Sequence, residues 1–177
     1  MTDIVDAILP PASRDLAKAT LHRVSEANLR IATAESCTAG LLAALMTNIE
    51  GCGHVFDRGF VTYELTAKCD MLGLPEEIVE ANAAVNKEVA LAMAEAALDK
   101  SAADIAIGVT GFAGKCDDDQ EEGLVFIGLA AKGRETIYRE NHYGATGRDK
   151  VRQAALHTAF EMIGEAMDDL EKADNDE

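Results

Sequence analysis

The stretch LRIATAESCTAGLLAALMTNI, residues 29–49, combines a strand, a tight turn and a helix. Residues 29–34, LRIATA, are predicted to form a short buried strand, and residues 35–40 are small or polar. Leu41 then begins a run of helix-forming residues that Gly51 ends. A buried strand that leads directly into a helix is a unit of α/β proteins, so this stretch predicts a layered α/β fold.

Helices and apolar runs continue to alternate on both sides of this stretch. Before it, residues 1–12 form a lead-in that ends in two prolines, and Ser13 is predicted to cap a first helix. After it, residues 59–63 have the composition of a strand, and a helix that carries Lys68 follows up to Gly73. Strands separated by helices favour a partly parallel sheet.

The second half of the chain predicts one long helix, three strands and a last helix. Asn86 is predicted to cap the long helix. Residues 103–110 and 123–131 are apolar runs, and a Lys-Gly-Arg turn joins the second of them to residues 136–142 as an antiparallel hairpin. The last helix is predicted to begin near Thr146.

Length and composition predict a single domain. The chain has 177 residues, of which 48% are hydrophobic and 27% are charged, which is ordinary for a globular protein. We expect one compact α/β domain over residues 13–167, with a mixed, partly parallel sheet flanked by helices. The acidic residues 168–177 are expected to form a frayed, solvated tail.

The charge of the chain excludes several partners. Sixteen Lys and Arg residues oppose thirty-two Asp and Glu residues, for a net charge of −16. Such a field repels phosphate backbones, so no nucleic acid and no membrane is expected as a partner. No secretory signal and no run of the ~20 apolar residues that span a bilayer is visible. The four cysteines show no metal-ligand or disulfide spacing, so we expect a cytoplasmic protein without a metal.

The turn in residues 33–40, TAESCTAG, contains three potential nucleophiles: Ser36, Cys37 and Thr38. At a helix N-terminus, free amide groups and the positive end of the dipole can hold an anion or a developing oxyanion. The alternative is that Ser or Thr simply caps the helix, and that Cys37 is a small buried apolar residue.

Lys68 follows Tyr63 by five residues and lies on a helix that is otherwise apolar on this side. A lysine that is partly desolvated near a tyrosine hydroxyl can become a neutral base able to activate a serine. The alternative is an exposed lysine on an amphipathic helix.

The loop at residues 111–115, GFAGK, directly follows a predicted strand. Ligands of open α/β sheets lie beyond the carboxyl ends of the strands, and glycines there allow backbone amides to approach a phosphate or carboxylate. A plain turn is the alternative interpretation.

Arg148, Lys150 and Arg152 lie together at the start of the last helix. Cations at a helix N-terminus oppose its dipole, so this cluster indicates an anionic ligand such as a phosphate. The alternative is a solvated face of ion pairs.

Five segments together resemble a known family. TAESCTAG, RGFVTYELTAKCDMLG, AAVNKEVALAMAEAAL, GVTGFAG and GRDKVRQAAL are similar, in this order, to the C-terminal domain of the competence/damage-inducible protein CinA. The resemblance covers residues 14–167. Stand-alone relatives in this family include nicotinamide mononucleotide deamidases, which act in the recycling of pyridine nucleotides.

The resemblance implies a compact α/β fold, a homo-oligomer and a small-molecule nucleotide as substrate. Active members hydrolyse the carboxamide of nicotinamide mononucleotide to nicotinate mononucleotide and ammonia, with no cofactor and no metal. It implies Ser36 as the nucleophile and Tyr63 with Lys68 as the group that activates it.

The resemblance also implies a substrate site at the junctions around this group. Thr110 and Arg148 match family positions at the substrate, and the 111–115 loop and Arg148 are expected to bind the nucleotide phosphate. The residues predicted to bind substrate are Thr38, Thr110, Gly111, Gly114 and Arg148.

The loop that follows departs from the family pattern. Relatives continue after G-x-A-G with proline and a glycine-rich segment, whereas residues 115–122 here read KCDDDQEE and carry five acidic residues. The intact Ser36, Tyr63 and Lys68 favour an amidase. The acidic loop favours the alternative, a family member that acts as a binding or interaction protein linked to competence or DNA-damage physiology.

Overall fold

The computed structural model describes residues 9–115, 117 and 119–175. Its centre is a five-stranded sheet in the order β2-β1-β3-β4-β5. The strands are β1 (Ile31–Glu35), β2 (Phe56–Val61), β3 (Ile105–Gly111), β4 (Leu124–Ala131) and β5 (Ile137–His142). Strand β1 pairs in parallel with β2 and β3, whereas β4 pairs antiparallel with both β3 and β5. The predicted mixed, partly parallel sheet is confirmed.

Helices flank the sheet on both faces. They are α1 (Pro11–Glu26), α2 (Leu41–Asn48), α3 (Leu65–Ala67), which continues as the π-helix Lys68–Leu72, α4 (Glu76–Glu80), α5 (Lys87–Asp99) and α6 (Arg148–Asn175). Short 3₁₀ turns cover Gly53–Val55 and Ala81–Ala84. Within the described part of the chain, no helix combines the length and the apolar character needed to cross a membrane.

Neighbouring residues of a strand contribute to two separate cores. Ile107 of β3 belongs to the larger core, to which α1, α2 and α6 contribute. The adjacent Ala106 belongs to a second core, which α5 covers with Met93. Both faces of β1 and β3 are buried, so burial does not alternate along these strands as it would if one face met solvent.

Two glycines allow α5 to pack closely on the sheet. Gly108 of β3 and Gly128 of β4 pair directly across the two strands. A Cβ atom on Gly108 would lie 2.5 Å from the carbonyl oxygen of Ala90, and one on Gly128 would meet the same oxygen. Any side chain at either position would therefore push α5 away from the sheet.

The carboxyl ends of β1 and β3 meet at one edge of the sheet. Their register pairs Glu35 with Val109, and the amide of Ser36 donates to the carbonyl of Val109 at 3.0 Å. Ser36, which begins the loop after β1, therefore lies beside Thr110 near the end of β3. In open α/β sheets this edge is where ligands bind.

The predicted cap of α5 is confirmed, whereas that of α1 is wrong. The Asn86 side chain accepts a hydrogen bond from the amide of Val89 at 2.8 Å. Helix α1 begins at Pro11 rather than after Ser13, with Pro10 at the N-cap and Ser13 buried within the first turn. Proline suits the first helical position because its missing N–H would have no partner there.

The segment from Asp168, which the sequence predicts as a frayed tail, continues α6 to Asn175. Arg23 of α1 binds the carboxylates of Asp168 and Glu171 at 2.7 and 2.9 Å. Leu170 packs against the larger core. These contacts give the acidic segment partners that a sequence pattern does not reveal. Residues 1–8 of the predicted lead-in and residues 176–177 lie outside the described part.

A left-handed turn precedes α5. Asn82, Ala83 and Ala84 have φ angles of 49°, 51° and 62°. Left-handed backbone costs an alanine roughly 1–2 kcal/mol, because its Cβ crowds the following carbonyl oxygen. The surrounding structure must compensate this strain, and Asn82 contributes a 2.6 Å hydrogen bond from Nδ2 to the carbonyl of Val85.

Ala83→Gly is expected to raise the free energy of unfolding by about 1 kcal/mol, since glycine adopts a positive φ without strain. Ala83 is exposed, so no packing is lost. Ala81→Gly is the matched control, because Ala81 has a φ of −65° and should lose about 0.5–1 kcal/mol. Urea unfolding of the three proteins measures both changes, and equal destabilisation by the two variants would contradict the strain at Ala83.

Candidate active site

Lys68 and Ser36 meet in the interior of the protein. Ser36 follows β1, and Lys68 opens the π-helix that follows β2. The Nζ atom of Lys68 lies 3.1 Å from the Oγ of Ser36, and it also donates to the carbonyls of Thr62 at 2.9 Å and Tyr63 at 3.1 Å. Lys68 is only 1% exposed. Parallel pairing of β1 and β2 brings together two residues that are 32 positions apart in the sequence.

Burial lowers the pKa of Lys68 below its ordinary value of 10.5. All three hydrogen-bond acceptors of its Nζ are neutral oxygens, and no carboxylate within the described residues forms an ion pair with it. A lower pKa means that more Lys68 is neutral near physiological pH. A neutral amine can accept a proton from a hydroxyl at hydrogen-bond distance.

Tyr63 contributes its backbone, rather than its phenol, to the position of Lys68. Its carbonyl accepts from Lys68 Nζ, while its side chain is 60% exposed at the cavity. No hydrogen bond joins the phenol oxygen of Tyr63 to Ser36, Lys68 or any other residue of the described chain. The activating role predicted for the Tyr63 hydroxyl therefore stays a prediction.

The N-terminus of α2 does not offer the free anion site that the sequence predicts. The buried Glu35 carboxylate accepts from the amides of Gly40, Leu42 and Ala43 at 3.1, 3.1 and 2.9 Å. It also accepts from the hydroxyl of Thr33 at 3.3 Å. An internal anion thus already occupies the positive end of this helix, and these three amides are not available to an oxyanion.

The thiol of Cys37 is a poor nucleophile in this environment. Cys37 is 4% exposed, and burial raises its pKa to about 12. Its carbonyl accepts a 2.7 Å hydrogen bond from Nε of Arg152 in α6. Of the three candidate nucleophiles in the turn, only Ser36 contacts a potential base.

A cavity of about 210 Å³ opens beside Ser36 and Lys68. It brings together most of the residues that the sequence singles out. Its lining includes Ser36, Cys37, Tyr63, Lys68, Ala83, Val85, Thr110, Gly111, Phe112, Ala113, Gly114, Lys115 and Arg148. Thr38, predicted to bind substrate, is absent from the lining: it is fully buried, and its hydroxyl has no partner within the described residues.

Thr110 acts on the backbone of a neighbouring segment. Its hydroxyl donates to the carbonyl of Ala84 at 2.7 Å and so holds the end of the left-handed turn against the cavity. Ala83 and Val85 also line the cavity, but the sequence does not predict them as site residues. In a sequence, glycine is the usual sign of left-handed backbone, and Ala-Asn-Ala-Ala contains no glycine. Asn82 is the one local signal, because asparagine tolerates this conformation.

The predicted cationic cluster of α6 divides into three separate environments. Arg148 reaches the cavity, where its guanidinium lies so close to Gly114 that a Cβ there would be 3.1 Å from Nη2. Lys150 lines a different cavity beside Tyr143. Arg152 binds the Cys37 carbonyl. Of the three, only Arg148 is placed to meet a ligand beside Ser36.

Part of the acidic loop is paired away from the cavity. Glu121 lies 2.8 Å from Nδ1 of His142 on β5, and this contact raises the pKa of the histidine. Lys115 lines the cavity. Cys116 and Asp118 lie outside the described residues. Among the residues that are described, no group of three His, Cys, Asp or Glu side chains could hold a metal ion.

Iodoacetamide at pH 8 is expected to alkylate Cys37 far more slowly than Cys69. A pKa of about 12 leaves about one Cys37 thiol in 10⁴ ionised at that pH, whereas Cys69 is only partly buried. Mass spectrometry of tryptic peptides over time measures the two rates. Unfolding in guanidinium chloride is the control and should bring them close together. Rapid alkylation of Cys37 in the folded protein would contradict its assigned environment.

Comparisons with known proteins identify the family of this chain. The CinA C-terminal domain family matches residues 13–167. A CinA-like protein of Akkermansia muciniphila is 43% identical over 131 residues, which are 73% of this chain and 32% of that protein. A putative competence-damage inducible protein of Symbiobacterium thermophilum is 39% identical over 84% of this chain and 37% of its own length. The chain thus spans about a third of the length of these curated relatives.

Solved structures give the same result. The competence/damage inducible protein CihA from Agrobacterium tumefaciens superposes with a TM-score of 0.85 at 39% identity, over 90% of this chain and 98% of that one. A CinA superfamily protein from Escherichia coli superposes with a TM-score of 0.78 at 29% identity, over 91% and 96%. This chain belongs to the CinA C-terminal domain family.

Proposed function

We propose that this chain is an amidohydrolase that converts nicotinamide mononucleotide to nicotinate mononucleotide and ammonia. The observation that carries the proposal is the 3.1 Å contact between Lys68 Nζ and Ser36 Oγ, buried beside a cavity. A serine paired with a desolvated lysine is suited to acyl transfer, because the neutral amine can remove the hydroxyl proton.

In the proposed reaction, neutral Lys68 accepts the proton of Ser36 as its Oγ attacks the carboxamide carbon. The tetrahedral intermediate then collapses, and the leaving nitrogen takes that proton from Lys68 and departs as ammonia. Water attacks the resulting ester with Lys68 again as base, which releases the carboxylic acid and restores Ser36. Lys68 accepts a proton from the attacking hydroxyl and later returns it to the leaving group. A lowered pKa helps the second transfer, because the protonated amine is then a stronger acid, and it leaves more neutral amine for the first.

The size of the cavity supports an orientation for the substrate. At about 210 Å³ it is smaller than the roughly 300–1,000 Å³ of most ligand pockets, so it suits one end of a nucleotide better than the whole. The carboxamide end must reach Ser36. The phosphate would then lie towards Arg148 and Lys115, the two basic residues of the cavity lining other than Lys68.

Ammonia release from nicotinamide mononucleotide tests the proposed reaction. Ser36→Ala should lower turnover by on the order of 10⁴-fold or more, because no other nucleophile contacts Lys68. Lys68→Met should lower it by on the order of 10²–10⁴-fold, since the general base is lost. Lys150→Met is the control and should retain wild-type turnover.

Two outcomes would contradict this assignment. A wild-type protein that releases no ammonia at high enzyme and substrate concentration would favour a binding or interaction role for the chain. Turnover that survives in Ser36→Ala and disappears in Cys37→Ser would transfer the nucleophile to the thiol.

Arg148→Met is expected to raise the KM for nicotinamide mononucleotide roughly 10- to 100-fold, which is the effect of losing a hydrogen bond to a charged group. It should leave the KM for nicotinamide riboside unchanged, because that nucleoside has no phosphate. Lys150→Met, two residues along α6, controls for the change in net charge. An equal rise in KM for both substrates would place Arg148 elsewhere in the site.

A further inference from the structure

The cavity beside Ser36 has basic residues in its lining and no acidic ones. Lys68, Lys115 and Arg148 line it, and of the described residues in the lining none is aspartate or glutamate. An anionic group of a ligand therefore has partners in this cavity, whereas a cationic group meets no carboxylate there.

Two acids adjoin the lining in the sequence but do not belong to it. Glu35 precedes Ser36, and Glu64 follows Tyr63. Neither lines the cavity. The Glu35 carboxylate accepts from three backbone amides and from the hydroxyl of Thr33, so it would lose these bonds if it turned towards a ligand. Positive charge inside the cavity therefore needs a partner other than a carboxylate.

The substrate of the proposed reaction brings such a positive charge. The nitrogen of its nicotinamide ring carries the ribose, so the ring is a permanent pyridinium cation. Since the carboxamide on this ring must reach Ser36, the charged ring must enter the cavity with it. A cation that leaves water without a compensating partner is costly, so the lining must supply one.

Two aromatic residues of the lining, Tyr63 and Phe112, can fill this role. The face of an aromatic ring carries partial negative charge and attracts a cation that lies within about 6 Å of its centre. The attraction is stronger where water is excluded. Tyr63 is 60% exposed, whereas Phe112 is half-buried, so Phe112 offers the contact with less water around it.

Phe112 is held in place on both sides of its backbone. Its amide donates to the carbonyl of Leu124 at 2.9 Å, and its carbonyl accepts from the amide of Gly123 at 2.7 Å. It also packs against the small core that contains Val85 and Phe126. A residue that is already ordered loses little conformational freedom when a ligand binds, so its contact contributes more fully to affinity.

We propose that Phe112 is a specificity-determining residue, whose ring recognises the positive charge of the pyridinium and so favours an N-substituted, oxidised nicotinamide over an uncharged one. This inference rests on the proposed amidase function. The two opposite charges of the substrate then meet different residues. The phosphate lies towards Arg148 and Lys115, and the charged ring lies against Phe112.

Two mononucleotides that differ in ring charge test this assignment. Nicotinamide mononucleotide has a pyridinium ring, and its 1,4-dihydro form has the same carboxamide, ribose and phosphate on an uncharged ring. Calorimetric titration of the full chain carrying Ser36→Ala measures both dissociation constants without turnover. The charged form is expected to bind roughly 2- to 30-fold more tightly, which is the range of a cation–π contact.

Phe112→Leu, made in the same Ser36→Ala chain, removes the ring and keeps an apolar side chain. It is expected to weaken binding of the charged form more than that of the uncharged form, so that the ratio of the two dissociation constants falls close to one. Phe112→Tyr keeps an aromatic face and should keep the ratio. Phe126→Leu is the matched control, because it makes the same change in the same small core outside the cavity lining.

A ratio of one before any change at Phe112 would overturn the inference, as would a ratio that Phe112→Leu leaves unchanged. Equal weakening of both ligands would also overturn it, since Phe112 would then act only as apolar surface. Thermal melting checks that the variants fold. If Phe112→Leu does not fold, Phe112→pentafluorophenylalanine decides, because it keeps the shape of the ring, reverses the charge of its face and must lower the ratio.

Failure of the proposed function gives a different result, because ammonia release by the wild-type chain is measured separately. Binding with the expected ratio but without ammonia release would contradict the amidase and retain Phe112 as the residue that recognises the ring. Ammonia release with a ratio that does not respond to Phe112→Leu would contradict the inference alone. A chain that binds neither mononucleotide would overturn both.

Discussion

The arrangement of the site depends on the hydrogen bonds that the buried Glu35 carboxylate accepts. It binds three amides of the following turn and helix and one hydroxyl of its own strand, all within the protein interior. These bonds close the N-terminus of α2 to outside anions. A residue without catalytic chemistry thereby holds the turn that carries Ser36 against the first turn of the helix.

Burial of Lys68 complements this arrangement. An isolated ammonium is costly to bury, and three neutral acceptors offset only part of that cost. The remaining penalty appears as a lowered pKa, which is the property that a general base needs. The π-helix that begins at Lys68 is itself an uncommon local structure that often occurs at functional sites. Stability lost at this position is consistent with its proposed use in proton transfer.

The sequence predicts those features that depend on neighbouring residues. The strand, turn and helix around Ser36 and the cap at Asn86 follow from local pattern, and the structure confirms them. The contact between Lys68 and Ser36 depends on strand pairing, so it came from resemblance and not from spacing. The left-handed turn at Ala83 and the contact from Arg152 to the Cys37 carbonyl have no local signature, since each is imposed by packing between distant elements.

Local geometry also decides whether the acidic loop opposes a nucleotide phosphate. A net charge of −16 predicts repulsion of anions, but ordinary salt screens exposed charges beyond about 10 Å. Arg148 and Lys115 line the cavity itself, whereas Glu121 is paired with His142 on β5. The charge beside Ser36 is therefore that of the residues lining the cavity, and it differs in sign from the net charge of the chain. Because screening weakens exposed charges with distance, these nearby cations act on a group in the cavity more strongly than the distant acidic surface does.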